Sequence, residues 1–376
     1  MVNREILIKS VEALHEHLTD TRSLEHCTLQ NLDLREEEFD FSAIQFGQTV
    51  LLGCLVGRQA EIALRAKGAK LFPLQHHLPY NPYRHSLYTW QELREGFTDE
   101  DDQSTDRKIY DHFVASRFNP DINEALSQRI HDHAIDDALR DLLGMDEKGM
   151  TAKKCVGIMG GHSTRRDDLY FHKTAHLAHQ LAQAGFYVVS GGGPGIMEAA
   201  NLGAYLGQYP ATAVDDALAI LEKAPTYQEA LYDDQSLAVL EKYPLGTENL
   251  AVPTWFYGHE PSNLFASHIA KYFSNSLRED HLLAISLYGV VFAPGSAGTT
   301  QEIFQDAAQN HYATYGYYSP MVFMGKERYE ISTSLYPVLK QLAYGKAYYD
   351  LLGLFEEPGE VVDFILQHPP VKADAH

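Results

Sequence analysis

Two short stretches hold residue types and spacings that could do chemistry. One is PGSAGTT (294–300), followed by QEIF; the other is SGGGPG (190–195), followed by IMEAAN. Each lies between an apolar run and a helical one, so each reads as a strand-to-helix turn. Gly191, Gly192, Gly193 and Gly195 in one turn, and Gly295 and Gly298 in the other, let the backbone approach a ligand closely because no Cβ intervenes. The first N–H groups of the following helix are unpaired, and with the helix dipole they favour an anion such as phosphate. Ser296 and Thr299 add hydroxyls there. A third turn, GGHST (160–164), carries Ser163 and Thr164 behind a single pair of glycines. Neither glycine turn is a Walker loop, since no G-K-[ST] follows, and neither fits G-x-G-x-x-G.

Glu302 stands three residues after Thr299, which leaves two readings open. It completes a capping box with Thr299 as N-cap, or it is a carboxylate serving the ligand of the turn. Arg278, in NSLRED, lies on a helix whose following strand delivers PGSAGTT; by itself it reads as a surface arginine paired with Glu279 or Asp280. The 19 histidines include no H-E-x-x-H or comparable spacing, so no metal site is expected. No G-x-S-x-G elbow is present, which argues against a serine hydrolase. No lysine stands in either glycine turn, so pyridoxal-phosphate chemistry and lysine decarboxylation are not expected.

These turns must be held by a frame, and the pattern from Lys154 onward supplies one. CVGIM (155–159), FYVVS (186–190), ENLAVPTWF (248–256), GVVFAP (289–294) and MVFMG (321–325, the last clear strand) read as buried strands. Helical stretches separate them, including a long helix or pair of helices over 262–286 and an acidic, mostly helical insert over 211–243. That alternation predicts an α/β fold: a Rossmann-like parallel sheet with helices on both faces, binding its ligand beyond the carboxyl ends of the strands. Before it, residues 3–18 read as an amphipathic helix. Leu24, Leu29, Leu34, Phe39 and Ile44 recur every five residues, too few units for a solenoid, and are taken as short strands or turns. TVLLGCLVG, RQAEIALRAKGAK and LFPL complete a small N-terminal α/β extension. LPYNPYRHSLYTW (78–90) is an ordered loop, TDEDDQSTD (98–106) is surface, and residues 107–143 are helical in period. GMDEKGMTAKK (144–154) is the expected linker, giving an accessory domain over 1–150 and a ligand-binding domain over 151–376.

The 376 residues carry 51 acids and 30 bases, a formal charge of −21. This argues against a nucleic-acid polymer or an anionic membrane as main partner, while a local turn can still hold a small anion. Cys27, Cys54 and Cys155 are far apart and in no zinc spacing, as expected of buried free thiols in a reducing compartment. The N-terminus lacks an apolar export core and no run is long enough to span a membrane, so a soluble, cytoplasmic protein is expected.

SGGGPGIMEAANLGA together with PGSAGTTQEIFQ resembles the Lonely Guy (LOG) family of phosphoribohydrolases, whose signature is a GGGxxG loop followed by PGGxGTxxE. The resemblance covers about residues 154–370 and is nearest to the longer bacterial members. It implies hydrolysis of the N-glycosidic bond of a nucleoside 5′-monophosphate to free base and ribose 5-phosphate, without a cofactor, by a homodimer or higher homo-oligomer. It places Glu302 and Arg278 as catalytic residues. The glycines of both turns, with Ser296, Thr299 and Ser163, would bind the substrate and its phosphate. Two departures stand out: Ser296 replaces the middle glycine of PGG, and Glu279 replaces the lysine that usually follows the arginine. They motivate a second expectation, a protein that binds or carries a nucleotide or cofactor without cleaving it.

Overall fold

A computed structural model describes residues 5–37, 43–98, 102–146 and 149–373. Residues 3–4 of the expected first helix, Phe39 of the five-residue rhythm, residues 99–101 of the acidic stretch and 147–148 of the expected linker lie outside the described residues. The chain packs as two units, Met1–Leu87 with Val114–Ala138, and Tyr88–Phe113 with Leu139–His376. Residues 88–113, which the sequence assigns to the N-terminal part, therefore pack with the C-terminal unit.

In the first unit β1 (Ile6–Ile8), β2 (Cys27–Gln30), β3 (Val50–Leu52) and β4 (Lys70–Phe72) form one parallel sheet in chain order, with helices α1 (Val11–Thr21) and α2 (Arg58–Ala66) in the connections. The single helix expected over 3–18 is instead a strand and a helix. Ile6 pairs opposite Cys27, and the helix begins only after Ser10, whose Oγ accepts from the Ala13 N–H at 3.1 Å. Leu24, Leu29 and Leu34 are all buried, packed with Ile8, Leu51 and Leu64. The rhythm thus marks an inward-facing core.

After these come α3 (Trp90–Arg94), α4 (Thr105–Ser116) and α5 (Ile122–Leu143). The second unit then alternates β5 (Cys155–Met159), α6 (Leu169–Gln183), β6 (Tyr187–Ser190), α7 (Ile196–Tyr205), α8 (Ala211–Leu221), α9 (Tyr232–Lys242), β7 (Leu250–Ala251), β8 (His268–Ile269), α10 (Asn275–Ile285), β9 (Val290–Phe292) and α11 (Ala297–Tyr312). It closes with β10 (Tyr317–Tyr318), β11 (Met321–Met324), α12 (Leu335–Ala343), β12 (Leu352–Phe355), α13 (Pro358–Gln367) and β13 (Val371–Lys372). Seven strands pair in parallel in the order β12-β11-β9-β5-β6-β7-β8, while β10 and β13 form a separate antiparallel pair.

This is an α/β Rossmann-like fold, and the reason is visible in its strands. Val156, Ile158, Val188, Val291 and Val322 point to one face, against Leu177 and Leu181 of α6, Ala200 of α7 and Val361 of α13. The residues that alternate with them, including Cys155, Met159, Val189, Phe292 and Phe323, are buried as well. Apolar residues are thus needed on both sides of each central strand, which gives the continuous apolar runs.

Two expectations change. Residues 262–274 are not helical: they run irregularly through β8, and α10 starts only at Asn275. Leu264, Phe265, Ile269 and Phe273 have helix-like spacing, but they are buried, and β8 pairs with β7 while Ile269 bridges Tyr88. MVFMG is also not the last strand of the sheet, because β12 pairs outside it. The cysteines are free, Cys27 and Cys155 buried and Cys54 half-buried. No helix among the described residues is long and apolar enough to cross a membrane.

Candidate functional site

A cavity of about 470 Å³ opens along the carboxyl ends of β9, β5, β6, β7 and β8. Its walls are the turns that follow those strands, the start of α11, Arg278 of α10 and Leu93 of α3. Three turns are laced together by their backbones. The Gly161 N–H donates to Pro294 O at 3.0 Å, and the Ile196 N–H donates to Gly161 O at 3.1 Å. Glycine is required where they meet: Gly195 has φ +70°, and a Cβ there would lie 2.4 Å from Gly161 O. A Cβ at Gly295 would fall 2.1 Å from Thr299 Oγ1.

A buried amide network fixes the floor. The Ser190 hydroxyl donates to Asn201 Oδ1 at 2.6 Å and accepts from the Gly192 N–H at 3.0 Å. Asn201 Nδ2 donates to Asn249 Oδ1 at 2.7 Å, and Asn263 Nδ2 donates to Asn201 Oδ1 at 2.9 Å. Each of these polar groups is buried and partnered, so the network rigidifies the Gly191–Gly192 turn.

Glu302 projects from the second turn of α11 and is 9% exposed. The capping box with Thr299 does not form: the N-cap is Ser296, and Thr299 already lies inside the helix. Glu302 instead pairs with Arg278, Oε1 to Nη1 at 3.5 Å. Arg278 is 6% exposed and held along its other edge. Its Nε and Nη2 donate to Asn275 Oδ1 at 3.2 and 3.0 Å, and Nη2 donates to Glu279 Oε1 at 3.1 Å. Glu279 also accepts from Asn275 Nδ2 at 2.8 Å and from Gln301 Nε2 at 2.6 Å. Two carboxylates therefore share one guanidinium. Burial pushes Glu302 up to about 7, Arg278 opposes this, and the charge of Glu279 adds to it.

The cavity brings together Glu302, Arg278, Gly191, Gly192, Ser296, Gly298 and Thr299. Gly193, Gly195 and Gly295 shape its turns rather than line it; a Cβ at Gly193 would lie 2.7 Å from Oε2 of Glu260, which does line it. Ser163 is not brought there. It lines a smaller cavity of about 90 Å³ with Thr164, Gly195 and Thr226, because the turn after β5 bends over the start of α7. Ser296 is the N-cap of α11, with φ −112° and ψ −133°, so its φ is not in the left-handed range that favours glycine. Sequence reasoning missed Gln301 and Lys271 on the cavity wall, Asn275 as a clamp on Arg278, and the amide network; it named Glu279 as a partner of Arg278, but at the surface, whereas both are buried.

Residues 153–208, from β5 through α7, match the SLOG cluster4 family. No curated protein matches the chain. Among solved structures, the molybdenum cofactor binding protein of Rippkaea orientalis is 12% identical with a TM-score of 0.36, covering 57% of this chain and 96% of its own. The molybdenum cofactor carrier protein of Chlamydomonas reinhardtii is 15% identical with a TM-score of 0.35, covering 57% of this chain and 97% of its own.

Proposed function

We propose that the cavity hydrolyses the N-glycosidic bond of a nucleoside 5′-monophosphate. The observation that carries this reading is a buried glutamate, Glu302, facing a buried arginine beside an anion-ready helix start. The N–H groups at the start of α11, with the Ser296 and Thr299 hydroxyls, would hold the phosphate, converting remote binding energy into orientation of the ribose. As the C1′–N bond breaks, positive charge develops on the sugar and negative charge on the base. Ionised Glu302 stabilises the former and takes a proton from the water whose oxygen bonds to C1′. The departing base leaves with the bond's electron pair and acquires a proton. Arg278 Nη1, the edge not held by Asn275 and Glu279, balances charge on the nucleotide. Products are free base and ribose 5-phosphate.

Incubation with AMP, GMP, IMP, CMP and UMP, followed by chromatography, tests this. Release of free base is expected from at least one, and release from none by folded protein overturns the reading. Binding without cleavage is the second reading. It is favoured by Glu279, which sets a second carboxylate on Arg278 and reduces the positive charge left for a transition state. Tight nucleotide binding by calorimetry with no product would establish it instead.

A further inference from the structure

Lys271 lies just beyond β8, lines the same cavity and is 5% exposed. Its Nζ donates to Asp106 Oδ1 at 2.8 Å and Oδ2 at 2.9 Å, and sits 5.2 Å from the centre of the Trp255 ring. Trp255 Nε1 donates to Asp106 Oδ1 at 2.7 Å. Asp106 comes from α4, in the 88–113 segment, whose Tyr88 exchanges backbone hydrogen bonds with Ile269 at 2.9 and 2.8 Å and whose Leu93 also lines the cavity. None of these residues has a part in the bond cleavage above.

Position assigns the end of the substrate that meets them. The strand order β9-β5-β6-β7-β8 puts the start of α11 and the β8 wall on opposite sides of this one cavity. A phosphate at α11 and a ribose at Glu302 direct the base toward Pro253, Ile269, Leu93 and Lys271. The first three are apolar and suit the faces of a base. Charge decides what Lys271 does there. Paired with Asp106 it forms a net neutral unit, a poor site for a second phosphate. An ammonium has three donors and no acceptor, and two point at Asp106, so one remains for a neutral acceptor.

We infer that Lys271, held by Asp106, is the base-reading group of this cavity and selects nucleotides whose base presents an exocyclic oxygen, as a 6-oxopurine does. This rests on the nucleotide reading above. A 6-aminopurine brings a second donor against the ammonium and leaves both unpaired away from water, which costs discrimination of about tenfold or more.

IMP and AMP differ at this position, and binding to the Glu302→Gln variant, measured by calorimetry, compares them without turnover. IMP is expected to bind about tenfold or more tighter than AMP. In Lys271→Met on the same background the ratio falls toward one, mainly through loss of IMP affinity. Should that variant unfold because Asp106 is left buried without its countercharge, Lys271→Met with Asp106→Asn keeps an acceptor for Trp255 and gives the same readout. Equal binding of IMP and AMP, or a ratio that survives the substitution, overturns the inference and leaves the nucleotide reading standing. Binding of neither overturns both.

Discussion

Glu302 is held where it is useful rather than where it is comfortable. Burial raises its pKa from 4.5 to about 7, so between these values the folded protein holds a proton that the unfolded chain releases, and near pH 7 it is partly ionised. A carboxyl raised in this way contributes stability that is full below its unfolded value and is lost as pH rises through the folded one. Glu302→Gln removes that pH-dependent loss while Arg278 keeps Asn275 and Glu279 as partners. Thermal melts are expected to show the variant gaining on the parent at pH 8, up to about 3 kcal/mol, and little at pH 5. In the proposed hydrolysis the same substitution would remove the proton acceptor and is expected to lower kcat by about a thousandfold or more. Retained turnover would take Glu302 out of the mechanism. The proposed mechanism uses the ionised form, so kcat/KM should fall as pH drops below about 7. Glu279 gives this limb a separate handle, since its charge holds Glu302 up and competes for Arg278. Glu279→Gln should therefore move the acid limb of kcat/KM to lower pH, whereas a residue serving only to pack the helix would leave the limb in place.

The strand-to-helix turns show how glycines that look alike in sequence differ in what they do. Gly195 begins α7 at φ +70°, and an added Cβ would meet two backbone carbonyls, Gly161 O at 2.4 Å and His162 O at 2.8 Å. Gly298 lies in the first turn of α11 with open space around it. Gly195→Ala is expected to cost more than about 2 kcal/mol in denaturant melts, because neither the dihedral nor the backbone can yield cheaply. Gly298→Ala should hold or raise stability by about 0.5–1 kcal/mol and yet weaken nucleotide binding, since its methyl occupies cavity space. Equal effects on stability would contradict this division of roles. The turns and the buried strands β5, β6, β9 and β11 were legible in sequence because their signals are local: apolar runs closed by glycine. The amide network was not, because Asn201, Asn249 and Asn263 are isolated in the chain and meet only through the fold. Residues 262–274 misled for a related reason. A segment buried around an edge strand shows apolar spacing that a helix would share, and only its pairing with β7 and Tyr88 separates the two.

At the scale of the whole molecule, the proposed function requires a chain of formal charge −21 to take up a small dianion. The cationic side chains lining the cavity among the described residues are Arg278 and Lys271, and each is matched by carboxylates, Arg278 by Glu279 and Glu302 and Lys271 by Asp106. In the proposed site, attraction for phosphate thus comes from backbone N–H groups, the Ser296 and Thr299 hydroxyls and one guanidinium edge, which act only at contact distance. The net charge acts further out and repels. Its range is set by the Debye length, about 30 Å at 0.01 M salt and about 8 Å at 0.15 M. Added salt therefore screens the long-range repulsion first and the enclosed contacts least. The expected result is a kcat/KM for nucleotide that rises a few-fold between 0.01 and 0.15 M salt, opposite in sign to an electrostatically steered enzyme. The corresponding uncharged nucleoside, as competitor, should show no such dependence. A kcat/KM that falls steeply with salt would place a positive potential at the mouth of the cavity and overturn this ordering of near and far charge.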